Sequence, residues 1–315
     1  MVPRLPADAA RRGPGSMPGT PRRTAMPTIT CVMPARNAAG TVGTAVRTVL
    51  RALPEDGELL VRDDGSTDDT LGVLERIRDA RLRVLVGPSV GIAAGMNTLL
   101  DEVTAPVVAR MDADDVCAPF RFRRQLALLR SADLVFAPAV DWLPGTPVAR
   151  PQPLRRLSAA AAPFALLLEN PFMNPTMTAR TRVIRDLGGC RSVASEDYDL
   201  WLRAAGAGLR LVRDRVPAVL YRRHPGQITA QSWWRAARAD TELVHEAFDA
   251  LALATVGFRP SWFAWRRAGL PAGGAPDGIG EELRRFRGAV AVLPAGQRRP
   301  LLRRVALMER RALLR

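Results

Sequence analysis

A chain of 315 residues, 47 % of them apolar, can hold one large α/β domain with an appendage or two modest domains. Its formal charge of +15 rests on arginine alone, and it sits in the tails: five Arg against one Asp over 1–26, seventeen Arg against eight acids over 222–315. That distribution, with no reading motif for bases, argues against a nucleic-acid partner, and three scattered cysteines with no C-x-x-C argue against a disulfide scaffold or a cysteine zinc site.

Residues 1–26 read as a flexible leader rich in Arg and Pro, without the apolar stretch of a signal peptide, and Met1, Met17 and Met26 are all candidate starts. From 28 the pattern alternates. "TITCVMP" (28–34) predicts a strand stopped by Pro34, and 39–53 has apolar residues at helical spacing. "ELLVRDDGS" (58–66) predicts a second strand running into a turn. Thr67 and Asp68 can cap a helix reaching about Asp79; a third strand covers 81–86, a third helix 91–103, and a fourth strand 105–111. Repeated βα units predict a mainly parallel sheet flanked by helices.

Beyond 117 the alternation loosens. A basic amphipathic helix is expected at 119–130, a strand near 133–137, a Pro-rich loop over 138–153, and a helix over 155–168. "NPFMNPTMTART" and "LGGC" lead to an acidic helix start, "SEDYDLWLRAAG" (195–206), then a strand near 208–213 and "AVLYRRHPGQIT" (218–229). The remainder, 231–315, reads as a helical, arginine-rich extension broken by "GLPAGGAPDGIG".

In an open α/β sheet, ligands bind at the carboxyl ends of the strands. Pro34, Arg36 and Asn37 end the first predicted strand, Asp63 and Asp64 the second, and Asp112, Asp114 and Asp115 the fourth. Such carboxylates are hard oxygen ligands of the kind Mg²⁺ or Mn²⁺ prefers. No glycine-rich phosphate loop follows the first strand, which argues against a dinucleotide-binding oxidoreductase and a P-loop enzyme. A nucleotidyltransferase would carry a glycine- and basic-rich loop there, and "PARNAAGTVG" matches it poorly.

Taken in order, "VMPARNAAGTVGTAVRTVL", "LLVRDDGSTDDT", "GIAAGMNTLL", "VVARMDADDV", "NPFMNPTMTARTRVIRDLGGC", "SEDYDLWLR" and "AVLYRRHPGQIT" resemble the family-two glycosyltransferases, inverting enzymes of the GT-A fold. The resemblance spans roughly 28–230. It implies a GT-A domain over 27–230 that takes a nucleotide-diphosphate sugar, with Pro34, Ala35 and Arg36 lining the nucleotide pocket and Asp64 meeting the base. It implies Asp112 near the ribose and metal, Asp114 as the ligand of Mg²⁺ or Mn²⁺, and Asp197 as general base toward an acceptor hydroxyl. Arg222, Arg223 and His224 would assist at the diphosphate. Asn174 stands where many relatives have His, and Gly95-Met96 precedes the family's Asn, here Asn97. The implied acceptor is a polysaccharide, a lipid-linked glycan or a cell-wall intermediate. The expected setting is cytoplasmic, with peripheral contact to the inner membrane face through the basic tail.

Plainer readings stand beside these. "DDGSTDD" also suits a turn with a helix cap, and Asp115 a cap of the following turn. Glu196 at a helix start complements the helix dipole, and Asp199 is expected to be structural. His224 is equally a surface residue. Trp201 reads as core, while Trp233, Trp234, Trp262 and Trp265 either pack the tail onto the domain or lie at a membrane interface. The alternative to an enzyme is a non-catalytic scaffold that binds a nucleotide sugar.

Overall fold

The computed structural model describes residues 26–146, 149–224, 226–227, 242–267 and 275–313. Residues 1–25 of the expected leader (1–26), together with Trp233 and Trp234, lie outside the described residues. Among those described, one seven-stranded sheet has the order β10-β6-β9-β4-β1-β2-β3. Its strands are β1 (Thr30–Ala35), β2 (Glu58–Asp64), β3 (Leu82–Gly87), β4 (Val107–Arg110), β6 (Leu134–Phe136), β9 (Thr178–Arg180) and β10 (Leu211–Arg213). The block β3-β2-β1-β4 is parallel, as the alternation predicts. β9 runs antiparallel to both β4 and β6. Three residues within "NPTMTART" carry too little pattern to mark that strand in advance.

Pro34 does not stop β1, which continues to Ala35. The carbonyl of Val32 accepts the N–H of Met111, so Val32 and, two residues on, Pro34 point toward β4. The β1–β4 register ends at Val32, so the N–H that proline lacks has no ladder partner to lose.

A second sheet of four short strands has the order β5-β11-β7-β8, from β5 (Val116–Cys117), β7 (Ala139–Trp142), β8 (Ala149–Pro151) and β11 (Val219–Arg222). It corrects the expected loop over 138–153. The hairpin β7–β8 forms there because Pro151 sits on an edge strand, where a missing donor is harmless.

Strand alternation divides the core. Val32, Leu60, Leu85 and Val108 pack on one face with α3 (Ile92–Glu102), α5 (Ala162–Leu168) and α7 (Glu196–Gly206). Cys31, Met33, Leu59 and Val61 pack on the other with α1 (Val42–Ala52) and α2 (Thr70–Glu75). The shorter helices α4 (Arg121–Leu128) and α6 (Thr181–Asp186) complete the flanks. The C-terminal helices α8 (Glu242–Val256), α9 (Trp262–Arg267), α10 (Ile279–Ala289) and α11 (Ala295–Leu313) place Phe248, Trp262, Phe286 and Val305 in the first of these clusters. Trp262 is fully buried, and its indole N–H donates to the carbonyl of Leu167 at 2.9 Å. Trp201 is buried edge-on to Phe136. All three cysteines are buried and free. No helix among the described residues is long and apolar enough to cross a membrane.

Candidate active site

β1, β2 and β4 are parallel neighbours, so their carboxyl ends share one edge of the sheet. At the end of β2, Asp63 accepts the N–H of Ser66 at 3.2 Å and its hydroxyl, closing the turn. Gly65 has φ +69°, and a Cβ there would come within 2.8 Å of the Ser89 nitrogen, so only glycine lets the 88–91 loop approach. That loop then donates to Asp64: Val90 N–H at 3.1 Å, Gly91 N–H at 3.2 Å and Ser89 Oγ at 3.4 Å. The buried guanidinium of Arg62 completes the set. Four donors therefore fill a carboxylate with about four acceptor sites. Asn37, in the left-handed region at φ 49°, ties the rims of β1 and β2 by accepting the N–H of Thr67 at 2.8 Å. The N-cap of α2 is Asp69 rather than the expected Thr67 or Asp68; Asp68, one residue earlier, accepts the N–H of Thr70 at 3.0 Å.

The end of β4 is different. Oxygens of Asp112, Asp114 and Asp115 lie within 4.8 Å of one another. Asp112 accepts from Arg110 Nε at 3.2 Å, and Asp114 Oδ2 is 2.9 Å from His224 Nε2. Asp115 is 1 % exposed. It does not cap the following turn. Its Oδ1 accepts the N–H of Arg222 at 2.9 Å, joining the loop after β4 to β11, and its Oδ2 is buried with no partner. Burial, then the charges of Asp112 and Asp114, push the Asp115 carboxyl up to about 9; burial likewise raises Asp112. Three crowded hard-oxygen donors, one with an orphaned buried oxygen, fit a divalent cation such as Mg²⁺ or Mn²⁺.

Arg110, the last residue of β4, is 6 % exposed. It reaches Asp112 with Nε and Glu196 Oε1 with Nη1 at 3.5 Å. Glu196 is 8 % exposed, and Asn174 Nδ2 lies 3.4 Å from the same oxygen. Glu196 opens α7 as expected, and it is also turned inward toward the buried Arg110. Burial and the neighbouring Asp197 push its carboxyl up to about 7. Asp197 is half-buried, accepts from Asn170 Nδ2 at 3.0 Å, and burial raises its carboxyl as well. Asp199 is fully buried between Arg191 and Arg203, a structural role.

The loop ahead of α7 is fixed from α3. Asn97 donates to the Cys190 carbonyl at 2.8 Å and accepts the Cys190 N–H at 2.9 Å. Gly189, at φ +67°, allows this: a Cβ there would stand 2.5 Å from Asn97 Oδ1. Asn97 thus places the helix that carries Asp197.

Of the residues singled out from sequence, the structure groups Asp112, Asp114, Asp115 and His224 at one strand end, and links them through Arg110 to Glu196 beside Asp197. Ala35 is buried, Pro34 half-buried and Arg36 exposed at the end of β1. Arg223 is held apart, bonded to Asp141 at 2.7 Å, whereas Arg222 donates Nε to the Asp114 carbonyl at 2.8 Å and lies over the Trp142 ring. Arg110 had no role in the sequence reading. Its signal was a cation at an otherwise apolar strand position.

Comparison with known proteins agrees with this geometry. The family model described as Glycosyl transferase family 2 matches residues 30–188, just over half of the chain. The chain is 21 % identical over 214 residues, 66 % of its own length and 82 % of the other's, to WfaP of Escherichia coli, a UDP-Glc:α-D-GlcNAc-diphosphoundecaprenol β-1,3-glucosyltransferase. The S. aureus TarS 1-349 structure in complex with UDP-GlcNAc superposes with a TM-score of 0.58 at 15 % identity, covering 84 % of this chain and 79 % of that one. The mannosyltransferase PcManGT of Pyrobaculum calidifontis, in complex with GDP-Man and Mn²⁺, gives 0.53 at 19 % identity over 94 % and 90 %. With the strand order, the acidic strand end and the family match in agreement, the chain is a member of glycosyl transferase family 2, a glycosyltransferase of the GT-A fold.

Proposed function

We propose that this glycosyltransferase moves a sugar from a nucleotide-diphosphate donor to a hydroxyl of a cell-surface polysaccharide, glycolipid or cell-wall acceptor, with inversion and with Asp197 as general base. One observation carries the reading: the acids after β4 and the acids opening α7 flank a single buried cation, Arg110. WfaP, with its UDP-Glc donor and diphosphoundecaprenol-linked acceptor, supports the acceptor class.

Pro34, Ala35 and Arg36 line the nucleotide side. Asp64 meets the base where its longest bond, to Ser89 at 3.4 Å, gives way. Asp112 faces the ribose, and Asp114 with Asp112 holds Mg²⁺ or Mn²⁺, the ion named with PcManGT. When bound, the cation offsets negative charge on the departing diphosphate. His224 and Arg222 hold the loop bearing Asp114 and assist at the diphosphate; Arg223 joins them only by leaving Asp141. Asp197 removes the proton from the acceptor hydroxyl as that oxygen attacks the anomeric carbon. The bond from that carbon to the diphosphate oxygen breaks on the opposite face, and the diphosphate leaves with the electron pair. Burial makes Asp197 a stronger base than a solvated carboxylate, and Asn170 fixes its orientation. Arg110 keeps both acidic groups from repelling each other out of place.

A panel of nucleotide sugars assayed with and without Mn²⁺ tests the reading, with transfer or slow donor hydrolysis expected for one of them. Full activity of Asp197→Asn would remove the base assignment. No turnover of any donor by folded protein that still binds UDP would favour the non-catalytic scaffold.

A further inference from the structure

The last helix presents a face that the transfer reaction does not use. α11 holds six arginines and a single acid, Glu309, which is engaged by Arg287 at 2.5 Å. Arg299, Arg303, Leu307, Arg310 and Arg311 follow at spacings that place them on one side of the helix, and all five are exposed. Leu307 is 47 % exposed, and Val292, in the 3₁₀ turn leading into the helix, is 80 % exposed. None of these four arginines has an ion-pair partner among the described residues. The opposite side of the helix is anchored: Leu301, Val305 and Met308 are buried in the main core, and Gln297 bonds to Ser158 and to the Arg156 carbonyl.

Four unpaired arginines interleaved with exposed aliphatic side chains on a rigidly docked helix fit an anionic lipid surface. The guanidinium groups match lipid phosphates, and Leu307 and Val292 can enter the interfacial layer. A nucleic-acid footprint would be expected to offer stacking aromatics or base-reading polar groups instead, and this face has neither. The helix is also linked to the proposed base by tertiary contacts. Arg304 pairs with Glu169, and the next residue, Asn170, holds Asp197.

We propose that the outward face of α11 is a docking surface for anionic membrane lipid, which brings the proposed base to an acceptor held at the membrane. The docking surface itself stands independently of the transfer reading. The test is co-sedimentation of the full chain with phosphatidylglycerol-containing vesicles, against pure phosphatidylcholine, with neither donor nor acceptor present. Binding to the anionic vesicles that weakens with salt is expected. At about 1 kcal/mol per arginine near such a surface, Arg299→Gln/Arg303→Gln/Arg310→Gln/Arg311→Gln should lower the partition coefficient by a factor on the order of several hundred at low salt. Donor hydrolysis by this variant should be unchanged, since the four side chains are exposed and none has an ion-pair partner among the described residues. Absence of vesicle binding at low salt would overturn the proposal, as would undiminished binding by the variant. Equal affinity for duplex DNA would reduce the face to a general polycation and overturn it as well.

Discussion

Asp64 and Asp115 are both buried aspartates at the carboxyl edge of the same parallel block, yet their surroundings differ. Asp64 ends β2 under four donors from its own chain: Arg62, Ser89, Val90 and Gly91. Asp115 follows β4 with one backbone donor, a buried oxygen left over and two more carboxylates beside it. A charge taken out of water is tolerable only when compensated. The rim of β2 is compensated within the fold before any ligand arrives. The rim of β4 carries a deficit that a ligand from outside must fill, and such a deficit marks the working part of the site.

The largest expected effect lies on the deficient side. Asp197→Asn should lower kcat by about 10²–10⁴ while UDP binding is kept, since only the proton acceptor is lost; a titration with UDP and a steady-state assay check this together. Next comes a direct contrast in stability. Asp64→Asn leaves the buried Arg62 without its counter-charge and should cost about 3–5 kcal/mol in a urea melt. Asp115→Asn replaces a buried carboxyl that the fold must protonate at neutral pH with a neutral group, and should leave the chain within about 1 kcal/mol of the parent, or more stable. Equal losses at the two positions would break the comparison.

A third expectation concerns the cation. Mn²⁺ should raise the melting temperature of the parent, and Asp114→Ala should remove that rise and prove the most damaging substitution among the three acids of the β4 rim. The metal-free chain should also respond to pH. With the Asp115 carboxyl at about 9 when folded, against an ordinary value of about 4 when unfolded, the folded chain holds an extra proton between those values. Stability therefore falls as pH rises through that window, and Asp115→Asn should flatten the slope. The smallest effect is on the acid limb of kcat/KM. Glu196 and Asp197 titrate as a pair, with Glu196 at about 7. Glu196→Gln removes one of the like charges and should move the limb to lower pH.

Much of the fold was legible because its signals are local. The turn chemistry of "DDGS", the helical spacing over 91–103 and the acids after "VVAR" each depend on a few neighbouring residues, and the parallel block followed from them. Strand β9 and the hairpin β7–β8 were not legible. Three or four residues give no period, and their identity comes from partners far along the chain, such as Val107 paired with Arg180. The split among the acids shows the same limit. Asp112 and Asp114 could be singled out by motif, but the place of Asp115 against the N–H of Arg222, 107 residues away, could not.

The sequence by itself determined which residue types stand at the strand ends, and with them the family and the class of reaction. Only the tertiary structure decided which of those charges are neutralised from within. Arg62 answers Asp64 from two residues away, whereas Arg110 answers Glu196 across 86 and Asn97 fixes Cys190 across 93. Compensation of a buried charge depends on distance in space at low dielectric, and chain order does not contain that distance until the sheet has closed.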